Sequence, residues 1–154
     1  TYHESATIEA GRSAVIAPCT EGMIGLSICY DIRFPHLYRA YAQAGAEMLA
    51  APAAFTRVTG EAHWHVLQRA RAIENGAYVI SPGQCGTLAG GAECYGHSLI
   101  VDPWGRVLAD GGTEPCVVTA EINLETVAET RRRIPSLTHD RTFSPACLDS
   151  AKVS

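Results

Sequence analysis

The sequence predicts an α/β domain built on a mixed β-sheet. Short apolar runs alternate with stretches of helical periodicity over residues 23–81, which is the pattern of strands joined by crossover helices. After Pro82 the pattern changes to short hairpin-like pieces, which adds antiparallel strands to the parallel ones. The chain has 154 residues, of which 47% are hydrophobic and 18% charged. That size and composition are enough for one globular domain with a substantial core.

The first half of this pattern predicts three strands and two helices. The strands cover residues 23–29, 47–52 and 77–81, each an apolar run of strand length. The helices cover residues 34–46 and 60–76. Apolar residues at helical spacing predict the inward face of each helix, namely Leu37, Tyr41 and Ala44 in the first and Ala62, Val66, Ala70 and Ile73 in the second.

The second half predicts a hairpin, one more strand and a final helix. Residues 97–105 and 106–112 form the hairpin, because the intervening DPWG has proline early and glycine late in a turn. Residues 116–122 (CVVTAEI) are mostly apolar and predict a strand, and residues 124–133 predict a helix. Residues 142–154 are read as an extended C-terminal tail.

Charge and hydropathy exclude two classes of partner. The net charge is −4 and the pI is about 5.8, and the only basic run, 131–133, is short enough to be the solvated end of a helix, so nucleic acid is not an expected partner. The long uncharged stretch 77–92 is interrupted by Pro82 and several glycines, so it does not predict a membrane-spanning helix. No secretory signal is recognised, and the expectation is a cytoplasmic protein without membrane contact.

The six cysteines do not form a metal-binding or disulfide pattern. They are far apart, with no CxxC pair, so no metal site is predicted from them and reduced thiols are expected. They are Cys19, Cys29, Cys85, Cys94, Cys116 and Cys147.

One cysteine stands at a position suited to chemistry. In GLSICYDIRFP (25–35), Cys29 comes at the carboxyl end of a predicted strand, where ligand sites of α/β sheets collect. A sharp strand-to-helix turn there exposes the thiol and aims backbone N–H groups, beginning with that of Tyr30, at an incoming carbonyl oxygen. The alternative is that Cys29 is a buried small hydrophobe. The polar residues that follow at once favour the first interpretation.

Several long segments in order resemble one family. GLSICYDIRFP, PAAFTRVTGEAHWHVLQRARAIENGAYVISPGQCG (52–86) and YGHSLIVDPWGRVLA (95–109) are similar to the nitrilase superfamily of carbon-nitrogen hydrolases, and the resemblance covers about residues 1–141. SPGQCG, CYGHS and RRRIPSLTHDR are similar to the branch of amidases that act on deaminated glutathione. CYDIRF and the HW helix are shared with omega-amidases that hydrolyse α-ketoglutaramate.

The resemblance implies a fold and a reaction. The fold would be the C-terminal part of a four-layer αββα sandwich that forms a homodimer or higher homo-oligomer. The reaction would use a Glu, Lys, Cys triad, in which Cys29 attacks the carbon of a small carboxylate-bearing amide, the amine or ammonia leaves, and water hydrolyses the thioester. No metal and no organic cofactor is expected for it.

The resemblance also indicates what this sequence lacks. The family's catalytic lysine and its first glutamate stand well before the nucleophile, whereas the only lysine here is Lys152. Glu4 matches the family's second active-site glutamate, which positions the substrate. We therefore expect residues 1–141 to be a partial carbon-nitrogen hydrolase domain without its N-terminal half, weak or inactive alone, with one apolar sheet face uncovered. The alternative is a truncated, non-catalytic dimerisation or binding module.

Three further residues gain roles from the resemblance. Arg33 matches the position that binds a substrate carboxylate, a task suited to the planar guanidinium. A structural ion pair of Arg33 with Asp31 or Glu74 is the alternative. Phe55 and Thr59 match pocket-wall positions, although loop residues at that edge also serve as turn formers.

The histidines do not extend this picture. His63 and His65 are two apart on a predicted helix and point in different directions, so they are a poor zinc pair; His63 is expected to be partly buried and His65 exposed. His97 and Asp102 suggest a papain-like triad with Cys29. That triad is disfavoured, because residues five apart on a regular strand lie on opposite faces.

Overall fold

A computed structural model of the chain describes residues 6–144. Within that range the helices are α1 (Pro35–Gln43), α2 (Arg57–Asn75) and α3 (Leu124–Arg133). The strands are β1 (Val15–Cys19), β2 (Gly22–Leu26), β3 (Met48–Ala50), β4 (Tyr78–Ser81), β5 (Cys85–Thr87), β6 (Glu93–Tyr95), β7 (Leu99–Val101) and β8 (Val107–Asp110). Short 3₁₀ turns cover Cys29–Arg33 and Ser136–Thr138.

Six strands form one mixed sheet, which confirms the predicted fold class. Their order is β1-β2-β3-β4-β7-β8. The central pairs β2–β3 and β3–β4 are parallel, and the outer pairs are antiparallel. Helices α1 and α2 make the crossovers between the parallel strands, as short parallel connections require. Strands β5 and β6 form a separate two-stranded hairpin.

The main core lies between this sheet and the helices α1 and α2. Alternate residues of the parallel strands, such as Leu49 and Val79, point toward the helices and are fully buried. Tyr38, Tyr41 and Trp64 fill the helix side of the same cluster. Helix α2 also approaches β6 closely, since a Cβ atom added at Gly60 would lie 2.2 Å from the ring of Tyr95.

The opposite face of the sheet is only partly covered. At one end, Met48 and Tyr78 pack against Val127 of α3. At the other end Leu26 and its cross-strand partner Val15 are 43% and 49% exposed. Within residues 6–144 the exposed apolar surface of this face is therefore confined to the β1–β2 end, and the expectation of a wholly uncovered face stays a prediction.

Several predicted elements need correction. Residues 116–122 form no strand and run as an irregular segment, whereas β1 and the β5–β6 hairpin were not predicted. The inward face of α2 is also different, because Val66 and Ile73 are exposed. The buried face instead contains polar side chains that each make at least one hydrogen bond, while Gln68 Nε2 and Asn75 Oδ1 have no partner among the described residues. It consists of Gly60, Trp64, Gln68, Arg71, Ala72 and Asn75. In α1, Tyr41 is buried as predicted, Leu37 is partly buried and Ala44 is exposed.

Two expectations about cysteines and membranes can be compared with the described residues. The five cysteines in that range are all free thiols, as expected; Cys147 lies outside it. No helix formed by residues 6–144 has the length and apolar character needed to cross a lipid bilayer.

Candidate active site

The carboxyl ends of the three parallel strands β2, β3 and β4 meet at one rim of the sheet. Backbone hydrogen bonds link the loops that follow them: Cys29 N donates to Pro52 O over 2.8 Å, and Ala53 N donates to Pro82 O over 2.9 Å. Gln84 N donates back to Ala53 O, also over 2.9 Å. The position is the one where ligands bind in open α/β sheets.

Cys29 stands at the centre of this rim in an unusual backbone conformation. Its φ is +50°, in the left-handed region that non-glycine residues seldom adopt. The predicted strand ends early, at Leu26, and Cys29 begins a 3₁₀ turn instead. Its side chain is half-buried and lines an open depression of about 600 Å³. The other lining residues are Ile28, Pro52, Ala53, Ala54, Pro82, Gly83 and Gln84.

Side chains on both sides fix the turn that carries Cys29. The Asp31 carboxylate accepts a hydrogen bond from Ile28 N at 2.9 Å, and this bond stabilises the start of the turn. On the core side, the buried guanidinium of Arg71 donates from Nε to the Ile32 carbonyl at 2.9 Å and from Nη1 to Glu74 at 2.8 Å. The bond from Arg71 to Ile32 attaches the turn to α2, and Glu74 holds the Arg71 guanidinium in place.

A buried tyrosine fixes the strand end just before the nucleophile candidate. Ser27 Oγ donates to the Ala50 carbonyl at 2.7 Å, so the hydroxyl of Tyr38, 2.5 Å away, donates to Ser27 Oγ. Burial of the phenol raises the pKa of Tyr38 to about 12. The phenol is therefore a neutral donor at physiological pH.

Arg33 ends the same turn, and its guanidinium packs against aromatic rings rather than against a carboxylate of the described residues. Its guanidinium carbon lies 5.4 Å from the centroid of the Tyr30 ring and 5.2 Å from that of Phe55, and its Nη1 is 3.3 Å from His63 Nδ1. No carboxylate of residues 6–144 forms a salt bridge with Arg33. Asp31 and Glu74, the alternative partners, instead bind Ile28 N and Arg71.

Two further predicted site residues, Thr59 and Tyr30, do not line the depression. Thr59 lies in the first turn of α2, where its hydroxyl is 3.0 Å from that of Thr56. Glu4 lies outside the described residues. Tyr30 is 62% exposed beside Cys29, and His63 is exposed rather than partly buried.

The papain-like triad does not form. His97 lies outside the strands with φ +53°, and its Nδ1 is 2.8 Å from Asp110 rather than Asp102. Asp102 instead caps the β7–β8 turn, accepting hydrogen bonds from the backbone N–H groups of Trp104 and Arg106.

The structure contains a second polar cluster that no sequence pattern predicted. One carboxylate oxygen of Asp110 contacts His97 Nδ1, and the other lies 2.9 Å from His65 Nε2. His65 is half-buried, which corrects the prediction that it is exposed. Burial alone raises the pKa of the Asp110 carboxyl, but hydrogen bonds from Gly112 N and the two histidines outweigh it and hold that pKa below its ordinary value. These residues are far apart in sequence, and no local pattern signals their contact.

The rim and its turn describe an α/β protein with a cysteine presented at the strand ends. The family model for carbon-nitrogen hydrolases matches residues 1–132. A deaminated glutathione amidase from Synechocystis is 50% identical over 141 residues, covering 90% of this chain and 52% of its own length. The omega-amidase NIT2 of Bos taurus is 43% identical over 141 residues, covering 92% of this chain and 51% of its own length.

Solved structures agree with these matches. Saccharomyces cerevisiae Nit3, a member of branch 10 of the nitrilase superfamily, superposes with a TM-score of 0.84 at 38% identity, over 91% of this chain and 51% of that one. A Nesterenkonia amidase mutant with the acetamide moiety of fluoroacetamide added covalently at its active-site cysteine superposes with a TM-score of 0.69 at 28% identity, over 84% and 49% of the two chains.

This chain belongs to the carbon-nitrogen hydrolase family. The nitrilase-like α/β fold predicted from the sequence is confirmed. The chain spans about half the length of the curated relatives named above.

Proposed function

We propose that this chain carries the nucleophile-bearing part of an amidase that hydrolyses a small carboxylate-bearing amide through a thioester on Cys29. The observation that carries the proposal is the presentation of Cys29 at the rim of three parallel strands, in a strained backbone conformation and open to a depression. The covalent adduct on the active-site cysteine of the Nesterenkonia relative supports the same role.

The proposed reaction has two steps. The Cys29 thiolate attacks the amide carbon, the carbon–nitrogen bond breaks, and the amine or ammonia leaves with a proton, so that a thioester remains. Water then adds to the thioester carbon, the acid is released and the thiol is restored. In each step an oxyanion forms, and the N–H of Tyr30 is the proposed backbone donor to it, because the N–H of Cys29 is engaged by Pro52.

Arg33 supports an anionic substrate. A guanidinium that pairs with no carboxylate within residues 6–144 and lies between two aromatic rings can bind both oxygens of a substrate carboxylate. Phe55 forms one of those rings, and Thr59 stays a proposal from the family resemblance. Deaminated glutathione is the first substrate to test, by analogy with the Synechocystis relative, and α-ketoglutaramate is the alternative, by analogy with the omega-amidase.

The chain by itself is proposed to have little or no amidase activity. The single lysine, Lys152, stands far from Cys29 in the sequence, and loss of one oxyanion donor costs about 10²- to 10³-fold in rate. Glu4 is proposed to position the substrate. A segment carrying the family's lysine and first glutamate would complete the triad.

We also propose that the chain works as a homodimer or a larger homo-oligomer in the cytoplasm. The outward side of α2 supports self-association, because Val58, Val66 and Ile73 are 80%, 66% and 50% exposed on one helix. The five free thiols in the described range suit a reducing compartment.

A non-catalytic dimerisation or binding module is the second candidate. The partly uncovered sheet face at Leu26 and Val15 favours it, because such a surface binds a partner whether or not Cys29 reacts.

One experiment separates the two candidates. The chain is assayed as it is, and again fused to the upstream half of the Synechocystis relative, with deaminated glutathione and with α-ketoglutaramate, by release of amine or ammonia and by the intact mass of the thioester. We expect turnover in the fusion and none in its Cys29→Ala variant, with Cys116→Ala as the matched control at an exposed cysteine. A well-folded fusion without turnover or adduct on either substrate would favour the binding module.

A further inference from the structure

The cluster formed by His65, His97 and Asp110 lies outside the depression that contains Cys29. The three residues come from α2, from the loop after β6 and from the end of β8. One ligand-type atom from each lies within 4.8 Å of the other two. None of the three lines the Cys29 depression, and the proposed amide hydrolysis uses none of them.

We propose that His65, His97 and Asp110 form a binding site for a single Zn²⁺ ion. Two imidazole nitrogens and one carboxylate oxygen are ligand types that zinc takes in proteins. The ligand atoms are His65 Nε2, His97 Nδ1 and an Asp110 oxygen. Zinc–ligand distances of about 2.0–2.1 Å put tetrahedral ligands about 3.3 Å apart, so the cluster must close by at most about 1.5 Å. Side-chain rotation supplies a movement of that size.

The ligands are held in place by their surroundings. The left-handed backbone of His97 is clamped from two sides, because its carbonyl accepts from Trp64 Nε1 at 2.7 Å and its N–H donates to Gly112 O at 2.6 Å. Gly112 N in turn donates to Asp110 Oδ1 at 2.9 Å. The first two bonds hold the main chain from which the His97 ring projects, and the third holds the Asp110 carboxylate directly, so the proposed ligands are oriented before a metal arrives.

An aromatic side chain packs against both histidines. The Tyr95 ring stacks on His97 with centroids 4.3 Å apart and meets His65 edge-on at 6.0 Å. The Tyr95 hydroxyl is 3.5 Å from His65 Nδ1, the nitrogen that does not face Asp110. This leaves His65 Nε2 and His97 Nδ1 turned toward the shared carboxylate, as a metal requires.

Space and charge beside the cluster suit a cation with an open coordination position. His97 and Tyr95 also line a cavity of about 480 Å³, which gives room for water as a fourth ligand. That cavity is rich in carboxylates from Glu61, Glu93 and Glu114. Arg57, the one arginine among the described residues that line this cavity, is already bound by Glu61 and Glu93.

The alternative is a hydrogen-bonded His–Asp–His clamp that binds no metal. The test uses the purified chain stripped with a chelator and titrated with Co²⁺, then with competing Zn²⁺. We expect one metal per chain, visible absorption of a tetrahedral Co²⁺ site, and no cobalt–thiolate band in the near ultraviolet, which distinguishes this site from the cysteines. His65→Ala and Asp110→Asn are expected to weaken binding by at least about 100-fold. His63→Ala is the matched control on the same helix and should bind normally.

A second measurement avoids the risk that a variant fails to fold. The unchanged chain is modified with diethylpyrocarbonate, with and without Zn²⁺, and the modified histidines are mapped by mass spectrometry. Protection of His65 and His97, with His63 and the exposed His36 unprotected, supports the site. Absence of stoichiometric metal, or equal protection of all four histidines, overturns it.

Discussion

The backbone N–H of Cys29 donates a hydrogen bond to the carbonyl of Pro52 over 2.8 Å. This bond connects the loop after β2 to the loop after β3 and holds Cys29 at φ +50°. The left-handed conformation costs an L-residue about 1–2 kcal/mol, so the turn carries strain at the proposed nucleophile.

That strain predicts an order of stability among substitutions at position 29. Cys29→Gly should be more stable than Cys29→Ala by about 1 kcal/mol, because glycine adopts positive φ without a Cβ clash. Urea unfolding of the two variants at equal concentration measures the difference. Equal midpoints, or a more stable alanine variant, would show that the turn relaxes once the thiol is removed.

Arg33 should attract anions to Cys29. Iodoacetate is an anion and iodoacetamide is neutral, so the ratio of their alkylation rates at Cys29 reports the attraction of anions. We expect this ratio to be about tenfold lower in Arg33→Gln than in the unchanged chain, because about 1.4 kcal/mol of attraction is lost. Peptide mapping reports the rates at Cys29 alone. Arg12→Gln, at an exposed and distant position in the sequence, is the matched control. An unchanged ratio in Arg33→Gln would remove the carboxylate-binding role.

Tyr38 should make the fold sensitive to alkali. Its pKa is about 12 in the folded chain and about 10 when unfolded, so the unfolded chain loses its proton first as the pH rises. The contribution of the neutral Tyr38 phenol to the free energy of unfolding is fully present below about pH 10 and is lost as the pH rises from about 10 to 12. Tyr38→Phe removes this part of the pH dependence and, at neutral pH, the hydrogen bond to Ser27, at a cost of about 1 kcal/mol. Urea unfolding across pH 8–12 is the measurement; a variant with an unchanged alkaline slope contradicts it.

Asp140 should give a corresponding dependence on acid. Hydrogen bonds from Arg39 and Gln43 of α1 lower the pKa of the Asp140 carboxyl below its ordinary value. A carboxyl with a depressed folded pKa stabilises the fold above its unfolded pKa, near 3.9, and this contribution is lost as the pH falls through the folded value. We expect Asp140→Asn to be less stable than the unchanged chain at pH 7. Its stability should also fall less steeply than that of the unchanged chain as the pH drops from 5 to 2. Thermal unfolding tests this, with the exposed Glu114→Gln as control; parallel pH profiles would refute it.

The close approach of α2 to β6 predicts a sharp difference between two glycines. Gly60→Ala should destabilise the fold by about 1–3 kcal/mol, because the new methyl group would meet the Tyr95 ring. Gly90→Ala, where nothing lies within 4 Å of the added Cβ, should change stability by less than about 0.5 kcal/mol. Denaturant midpoints compare the two. Similar values would mean that Tyr95 moves away at little cost.

The sequence predicted those features that depend on local patterns. The alternation of apolar runs and helices predicted the order of β2, α1, β3, α2 and β4, and glycine after the second helix predicted its end, since Gly76 has φ +51°. The abrupt change from apolar to polar residues at Cys29 predicted a strand end, although the strand stops three residues earlier. Such signals are carried by neighbouring residues.

The features that were missed depend on tertiary contacts. The inward face of α2 contains Gln68, Arg71 and Asn75, which a pattern of apolar residues cannot assign, because their burial requires hydrogen bonds to Ser81, to Ile32 and to the preceding helical turn. The His65 and Asp110 contact joins residues 45 positions apart. A sequence without its fold contains no signal for such a pair.

The main-chain hydrogen bonds that join the three loops at the rim have a consequence for how the site can vary. The bonds from Cys29 to Pro52, from Ala53 to Pro82 and from Gln84 to Ala53 run between main-chain atoms. Every amino acid can supply the carbonyl acceptor, and every amino acid except proline can supply the N–H donor. Side chains such as that of Ala54 can therefore be exchanged without displacing the sulfur. The scaffold thereby separates the position of the proposed nucleophile from the choice of neighbouring side chains, so that substrate preference can change by substitutions in the loops alone.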